Sequence, residues 1–223
     1  MSRWVLVTGG AKRLGRDVAL ELAKSGFSVA VHYLSLDQDA ESTASDCKDF
    51  GVQSATVVGD LSTIDGARLL AQQVKADIGH VYGIINCVGQ SISGTVLETP
   101  LEQAEQLFIA NILSPIALVQ EMIEELKSQK GAIVNIGSSG ILPVGGEVPY
   151  CNASKEALFQ ITRSLALDLA PSGVRVNMIS PAASTSLVAC PGIDTVAQTA
   201  AYLISDQAAG ITGQHIEVMR GRT

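Results

Sequence analysis

A chain of 223 residues supports one sizeable core and is short for two full domains. Hydrophobic residues make up 47% and charged residues 17%, which excludes a disordered or fibrous polypeptide. The net charge of −7 argues against nucleic acid or an anionic membrane as partner.

In chain order the pattern predicts a strand over Trp4–Thr8, a helix over Leu14–Ser25, a strand over Ser28–Tyr33 and a helix over Asp37–Phe50. There follow a strand over Ser54–Val58, a helix over Thr63–Asp77 and a strand over Val81–Asn86. The helical stretch Leu101–Gln129 is expected to break near Pro115. The chain then gives a strand over Ala132–Ile136, a helix over Ser154–Ala170, a strand over Arg175–Ile179, a helix over Thr195–Ser205 and a strand over His215–Val218. Strands this apolar, without polar alternation, are covered on both faces. Their alternation with helices predicts the α/β class: a doubly wound, seven-stranded parallel sheet (a Rossmann fold) in a single domain over residues 1–223.

Met1 to Gly10 runs straight into a strand with no signal-peptide pattern, and no apolar run approaches the roughly 20 residues of a membrane span. The expected location is cytoplasmic, with reduced thiols at Cys47, Cys87, Cys151 and Cys190. No C-x-x-C pair occurs, and His32, His80 and His215 are scattered, so no metal site is expected and the histidines read as structural.

In such sheets ligands sit beyond the carboxyl ends of the strands, where the strand order switches. The segments to inspect are Thr8–Gly15, Tyr33–Asp37, Gly59–Leu61, Asn86–Gly89, Gly137–Gly140 and Ser180–Ser186. The first, Thr8-Gly9-Gly10-Ala11-Lys12-Arg13-Leu14-Gly15, follows a strand and opens a helix. Its glycines admit a pyrophosphate to the backbone, and the helix start offers free N–H groups.

These residues resemble the T-G-x-x-x-G-x-G signature of the short-chain dehydrogenase/reductase family. Arg13 stands at the usual middle glycine, as in the version found in pteridine reductases; its Cβ is accommodated if φ there is negative. The resemblance covers almost the whole chain, and the overall pattern is equally similar to 3-oxoacyl carrier-protein reductases. It implies that Gly9, Leu14 and Gly15 receive the dinucleotide, that Asp60 and Leu61 contact the adenine, and that Asn86, Val88 and Gly89 form the stretch after the fourth strand. Ile211-Thr212-Gly213-Gln214 matches the motif before the last strand. Pro181 begins a P-A version of the usual P-G motif, Ser186 falls where the nicotinamide carboxamide is held, and the stretch up to Thr195 is brief for the family. Met219-Arg220-Gly221 replaces the usual D-G-G.

The second strand ends His32-Tyr33-Leu34-Ser35, without the acid that accepts a ribose 2′-OH in NAD enzymes. Lys12, Arg13 and Ser35 are placed to hold a 2′-phosphate instead, so the expected cofactor is NADP(H).

For catalysis the resemblance implies Asn111, Ser138 and Lys155, with Lys155 also holding the nicotinamide ribose. A phenol has a reference pKa of about 10, lowered by a nearby lysine, and serves as the acid. The family pattern is Y-x-x-x-K, but four residues before Lys155 stands Cys151, while Tyr150 is five back and points about 140° away on a regular helix. Three readings stay open. Tyr150 reaches the site from a non-helical entry at Pro149, Cys151 acts as the acid, or the protein binds nucleotide without reductase chemistry. The corresponding functions are an NADPH-dependent carbonyl or pteridine reductase with a small-molecule substrate, or a nucleotide-binding sensor or partner subunit. The family pairs subunits through its long helices, which predicts a homodimer or homotetramer here. Leu118, Ile123, Leu126, Leu158, Ile161, Leu165 and Leu169 are expected to add apolar helix surface.

Overall fold

Val5 and Val7 of the first strand enter one apolar layer and Leu6 enters the other. Both faces of the sheet are therefore buried, which is why its strands read as unbroken apolar runs. The computed structural model describes residues 3–35, 37–138, 148–181 and 193–218. Its seven strands are β1 (Trp4–Thr8), β2 (Ser28–Tyr33), β3 (Ser54–Val58), β4 (Val81–Asn86), β5 (Ala132–Ile136), β6 (Arg175–Pro181) and β7 (His215–Val218). They form one sheet in the order β3-β2-β1-β4-β5-β6-β7, and every pairing is parallel. The order switches between β1 and β4, so the crevice beyond Thr8 and Asn86 is the ligand position of a doubly wound sheet.

One layer packs α1 (Arg13–Lys24), α2 (Asp37–Lys48) and α8 (Ile193–Ile204) on the sheet. The other packs α3 (Ile64–Asp77), α5 (Ser114–Glu121), α6 (Ile123–Gln129) and α7 (Pro149–Leu169). Arg175 at the start of β6 is buried and donates to the carbonyls of Leu203, Ile204 and Ser205 at the end of α8, a cation placed on the negative end of a helix.

The stretch Leu101–Gln129 is interrupted just before Pro115, as expected, but bends sharply only further on. It is α4 (Leu101–Phe108), a π-helical turn over Ile109–Leu113, then α5 and α6. The sharp bend, 63°, lies between Glu121 and Ile123 rather than at Pro115. Pro115 has no N–H to give the Asn111 carbonyl, and the widened turn absorbs that loss while Ser114 N–H bonds Ile109 O. The expected apolar surplus is smaller than the sequence suggests: Leu118, Leu126, Leu158 and Leu169 are buried, and Ile123, Ile161 and Leu165 are half-buried. Leu101, Leu113 and Leu167 are the exposed leucines of these helices. Among the described residues no single helix is long and apolar enough to cross a membrane.

Candidate active site

The loop after β1 is held from below. Thr8 Oγ1 accepts from Cys87 N–H and Val88 N–H, tying the ends of β1 and β4. Gly9 has φ +64°, and an added Cβ would lie 3.2 Å from Val88 Cγ2. A Cβ on Gly15 would lie 2.1 Å from the Gly9 carbonyl oxygen, so only glycine fits beneath this turn. Helix α1 then opens from Lys12 with no side-chain cap and no acid in its first turn. In α3, by contrast, Thr63 caps the Gly66 N–H and Asp65 lies in the first turn. The first N–H groups and positive end of α1 are thus kept for an anion, and this cradle fits a dinucleotide pyrophosphate.

Arg13 corrects an expectation, because its φ is +49°, in the left-handed region that favours the glycine usually found there. Arg13 is exposed and makes no ion pair among the described residues. Lys12 is already engaged: its Nζ lies 2.7 Å from Asp39 Oδ2 on α2. Arg13 is therefore the freer of the two cations, and the exposed Ser35 stands just beyond β2.

Leu14 is half-buried against the α1 layer, and Leu61 is buried in the other. Asp60 is exposed, and the Ser62 hydroxyl, then the Ser62 backbone N–H bonded to its Oδ1, hold its carboxyl below the usual range. Asn86 does not turn its side chain to the crevice. Its amide donates to Asn135 Oδ1, and Asn135 donates to Thr162 Oγ1, a buried chain from β4 through β5 to α7. Pro181, half-buried, ends β6 beside Val218. Ser186 and Met219-Arg220-Gly221 lie outside the described residues, as does Cys190.

At the catalytic end, Asn111 occupies the π turn and is fully buried. Its Oδ1 accepts the Gln90 N–H at 2.7 Å, and its Nδ2 donates to Gln90 O and Ser154 Oγ. Asn111 thus joins the loop after β4 to α7. Lys155 Nζ donates to Ile136 O at 3.0 Å, beside Gly89, where a Cβ would come within 3.0 Å of the amine. Burial pulls the Lys155 amine below the ordinary lysine value, partly offset by the Cys151 and Cys87 thiols. Burial pushes the Cys87 thiol up to about 12, which leaves it protonated and inert. Ser138 is half-buried after Gly137, whose N–H bonds Ile179 O.

The non-helical entry is overturned. Helix α7 starts at Pro149, with Val148 as its cap, and Asn152 N–H already bonds Val148 O. A proline at the first helical position lacks only an N–H that would be unpaired anyway, and its φ is suited to the helix. Tyr150 and Cys151 are both helical, so the register argument applies. Cys151 lies one turn before Lys155, and the Tyr150 hydroxyl instead donates to Val96 O, 3.3 Å away in the exposed loop after β4.

Sequence reasoning assigned no site role to Thr8, Ser154 or His32. The buried His32 ring accepts the Gly9 N–H at Nδ1 (2.9 Å) and faces Gly59 O through Nε2 (3.1 Å). Burial lowers its pKa to about 4, while the Gly59 carbonyl and Asp60 oppose the shift. The unfolded chain takes up this proton near pH 6.5 and the folded protein only near 4, so stability is full above 6.5 and falls as pH drops through that interval. The expected loss is about 3 kcal/mol by pH 4. Urea unfolding at stepped pH should show this slope in the parent and a much flatter one in His32→Asn.

Comparison with known proteins agrees with this layout. The family model described as short chain dehydrogenase matches residues 3–189. The 3-oxoacyl-[acyl-carrier-protein] reductase FabG of Staphylococcus aureus is 28% identical over 242 residues, covering 99% of this chain and 98% of that protein. An uncharacterized oxidoreductase of Thermotoga maritima is 30% identical over 184 residues, 82% of this chain and 72% of that protein. The crystal structure of acetoin dehydrogenase YohF from Salmonella typhimurium superposes with a TM-score of 0.90 at 28% identity, covering 98% of this chain and 95% of that one.

Proposed function

The chain belongs to the short chain dehydrogenase family, and from that premise we propose that it is an NADP(H)-dependent oxidoreductase acting on a small carbonyl compound in the cytoplasm. The observation that carries this reading is the start of α1, uncapped and free of acid in its first turn, with Gly15 packed where no Cβ fits. When bound, the dinucleotide supplies the hydride. The chain's own residues do the rest. The α1 N–H groups would hold the pyrophosphate, and Arg13 would pair with the 2′-phosphate. Lys155 presents a buried cation beside Gly89 that would hold ribose hydroxyls and favour a developing alkoxide. Ser138 stands two residues after Ile136, whose carbonyl accepts from Lys155 Nζ. FabG's name specifies a 3-oxoacyl substrate and YohF's specifies acetoin. Both substrates are ketones with a second oxygen function close by, and that is the substrate class proposed.

Calorimetric titration tests the cofactor. NADPH should bind at least several-fold tighter than NADH, and equal affinities would remove the NADP(H) assignment. Arg13→Ala should cost about 1–3 kcal/mol against NADPH and little against NADH. Arg13→Gly should lose the same affinity yet raise stability by about 1 kcal/mol, because it relieves the positive φ.

A second reading starts from the Tyr150 hydroxyl, which is bonded to Val96 O. In that reading the nucleotide is bound but reduction is slow or absent, and the protein serves as a sensor or partner subunit.

We also propose a homo-oligomer paired through α4, α5 and α7, where Leu101 (72% exposed) and Leu167 (77%) are left uncovered. Light scattering at micromolar concentration should give a dimer or tetramer, and the single-chain mass of 23.2 kDa would reject it.

A further inference from the structure

Next to last in β2 stands an imidazole, at the end of the otherwise apolar stretch Val29-Ala30-Val31-His32, and it is buried. Such a group must find partners for both nitrogens. It finds them in two loops at the carboxyl edge of the sheet. Nδ1 accepts the Gly9 N–H, so the proton sits on Nε2 and is donated to Gly59 O. The backbone repeats the tie: Gly10 N–H bonds His32 O, and Gly59 N–H bonds Tyr33 O. One residue therefore takes two successive N–H groups of the glycine turn and anchors the neighbouring loop as well. The Gly9 N–H points inward to the ring and away from any ligand. The donors left for a phosphate are those at the start of α1, and the path to them runs through the left-handed turn at Gly9.

We propose that His32 is the positioning residue of this turn: by holding the Gly9 N–H at Nδ1 it fixes the backbone that receives the dinucleotide pyrophosphate. This rests on the NADP(H) reading above. Without an acceptor at that point the half-buried Gly9 N–H is left unpaired, and the turn reorients to satisfy it.

Three variants separate the two nitrogens. His32→Asn places an amide oxygen two bonds from Cβ, as Nδ1 is, and so keeps the acceptor for Gly9. His32→Gln places an amide nitrogen three bonds out, as Nε2 is, and keeps only the tie to Gly59. His32→Leu keeps neither. Each is titrated calorimetrically with NADPH and with adenosine 2′-monophosphate, which has no pyrophosphate. Amide exchange at Gly9 is followed in the unliganded protein. His32→Asn should bind NADPH within about three-fold of the parent, whereas His32→Gln and His32→Leu should lose roughly ten-fold or more. Adenosine 2′-monophosphate should bind all four proteins alike, and Gly9 should exchange slowly in the parent and His32→Asn and fast in His32→Gln. The proposal is overturned if His32→Gln keeps the parent's affinity, if His32→Asn loses as much as His32→Gln, or if the nucleotide lacking pyrophosphate weakens in parallel. A parent protein that binds no dinucleotide rejects the cofactor reading instead, and the Gly9 exchange pattern then decides the role of His32 alone. Should His32→Leu not fold, the contrast between His32→Asn and His32→Gln still decides.

Discussion

Cys151→Tyr should raise the rate of ketone reduction by about 10²–10⁴-fold, the usual contribution of a positioned general acid. Position 151 is one helical turn before Lys155, whose buried amine donates to Ile136 O at the site. A phenol there projects along the same helix face as that amine, and the cation favours its ionised form. The native thiol is far shorter and leaves the space above Lys155 without a long proton donor. Tyr150→Phe should change the parent's turnover little, since the Tyr150 hydroxyl is spent on Val96 O. The measurement is NADPH consumption with diacetyl or a 3-oxoacyl thioester, run beside calorimetry to show unchanged cofactor affinity. Brisk turnover by the parent, abolished in Tyr150→Phe, would mean that the loop carrying Val96 releases Tyr150 to the substrate, and the register argument would fail.

The seven parallel strands and their cover of helices on both faces were legible because the strands are apolar runs and each but the last is followed by a helix-period segment. Burial of Val5 and Leu6 in opposite layers is the physical content of that signal. The glycine turn was legible for a similar reason, since Gly15 has one admissible side chain, hydrogen. Less visible were contacts that depend on where a side chain turns. Asn86 reads as part of a ligand stretch, yet its amide is committed to Asn135 across the sheet. Lys12 reads as a phosphate ligand, yet Asp39 on the next helix reaches it, a pairing between helices that periodicity does not reveal. His32 carries no pattern at all, because its partners are backbone atoms of Gly9 and Gly59. The start of α7 is illegible for another reason: Pro149 suits an extended entry and a first helical position equally well.

Gly15→Ala should abolish measurable NADPH binding, a loss of roughly 100-fold or more, while costing the fold about 1–3 kcal/mol. The added methyl would lie 2.1 Å from the Gly9 oxygen and 2.7 Å from its carbon. Both are backbone atoms, so no side chain can swing away, and either the Gly9 turn or the first turn of α1 must move. Whichever moves, the N–H groups that face the pyrophosphate lose their common direction, and each charge-assisted bond lost is worth about 1.5–3 kcal/mol. The control is Gly210→Ala, where a Cβ meets nothing within 4 Å and φ is not positive. That variant should match the parent in both calorimetry and urea unfolding. Gly15→Ala binding NADPH as tightly as Gly210→Ala would show that the pyrophosphate does not rest on this turn, and the assignment of α1 as the nucleotide helix would fall with it.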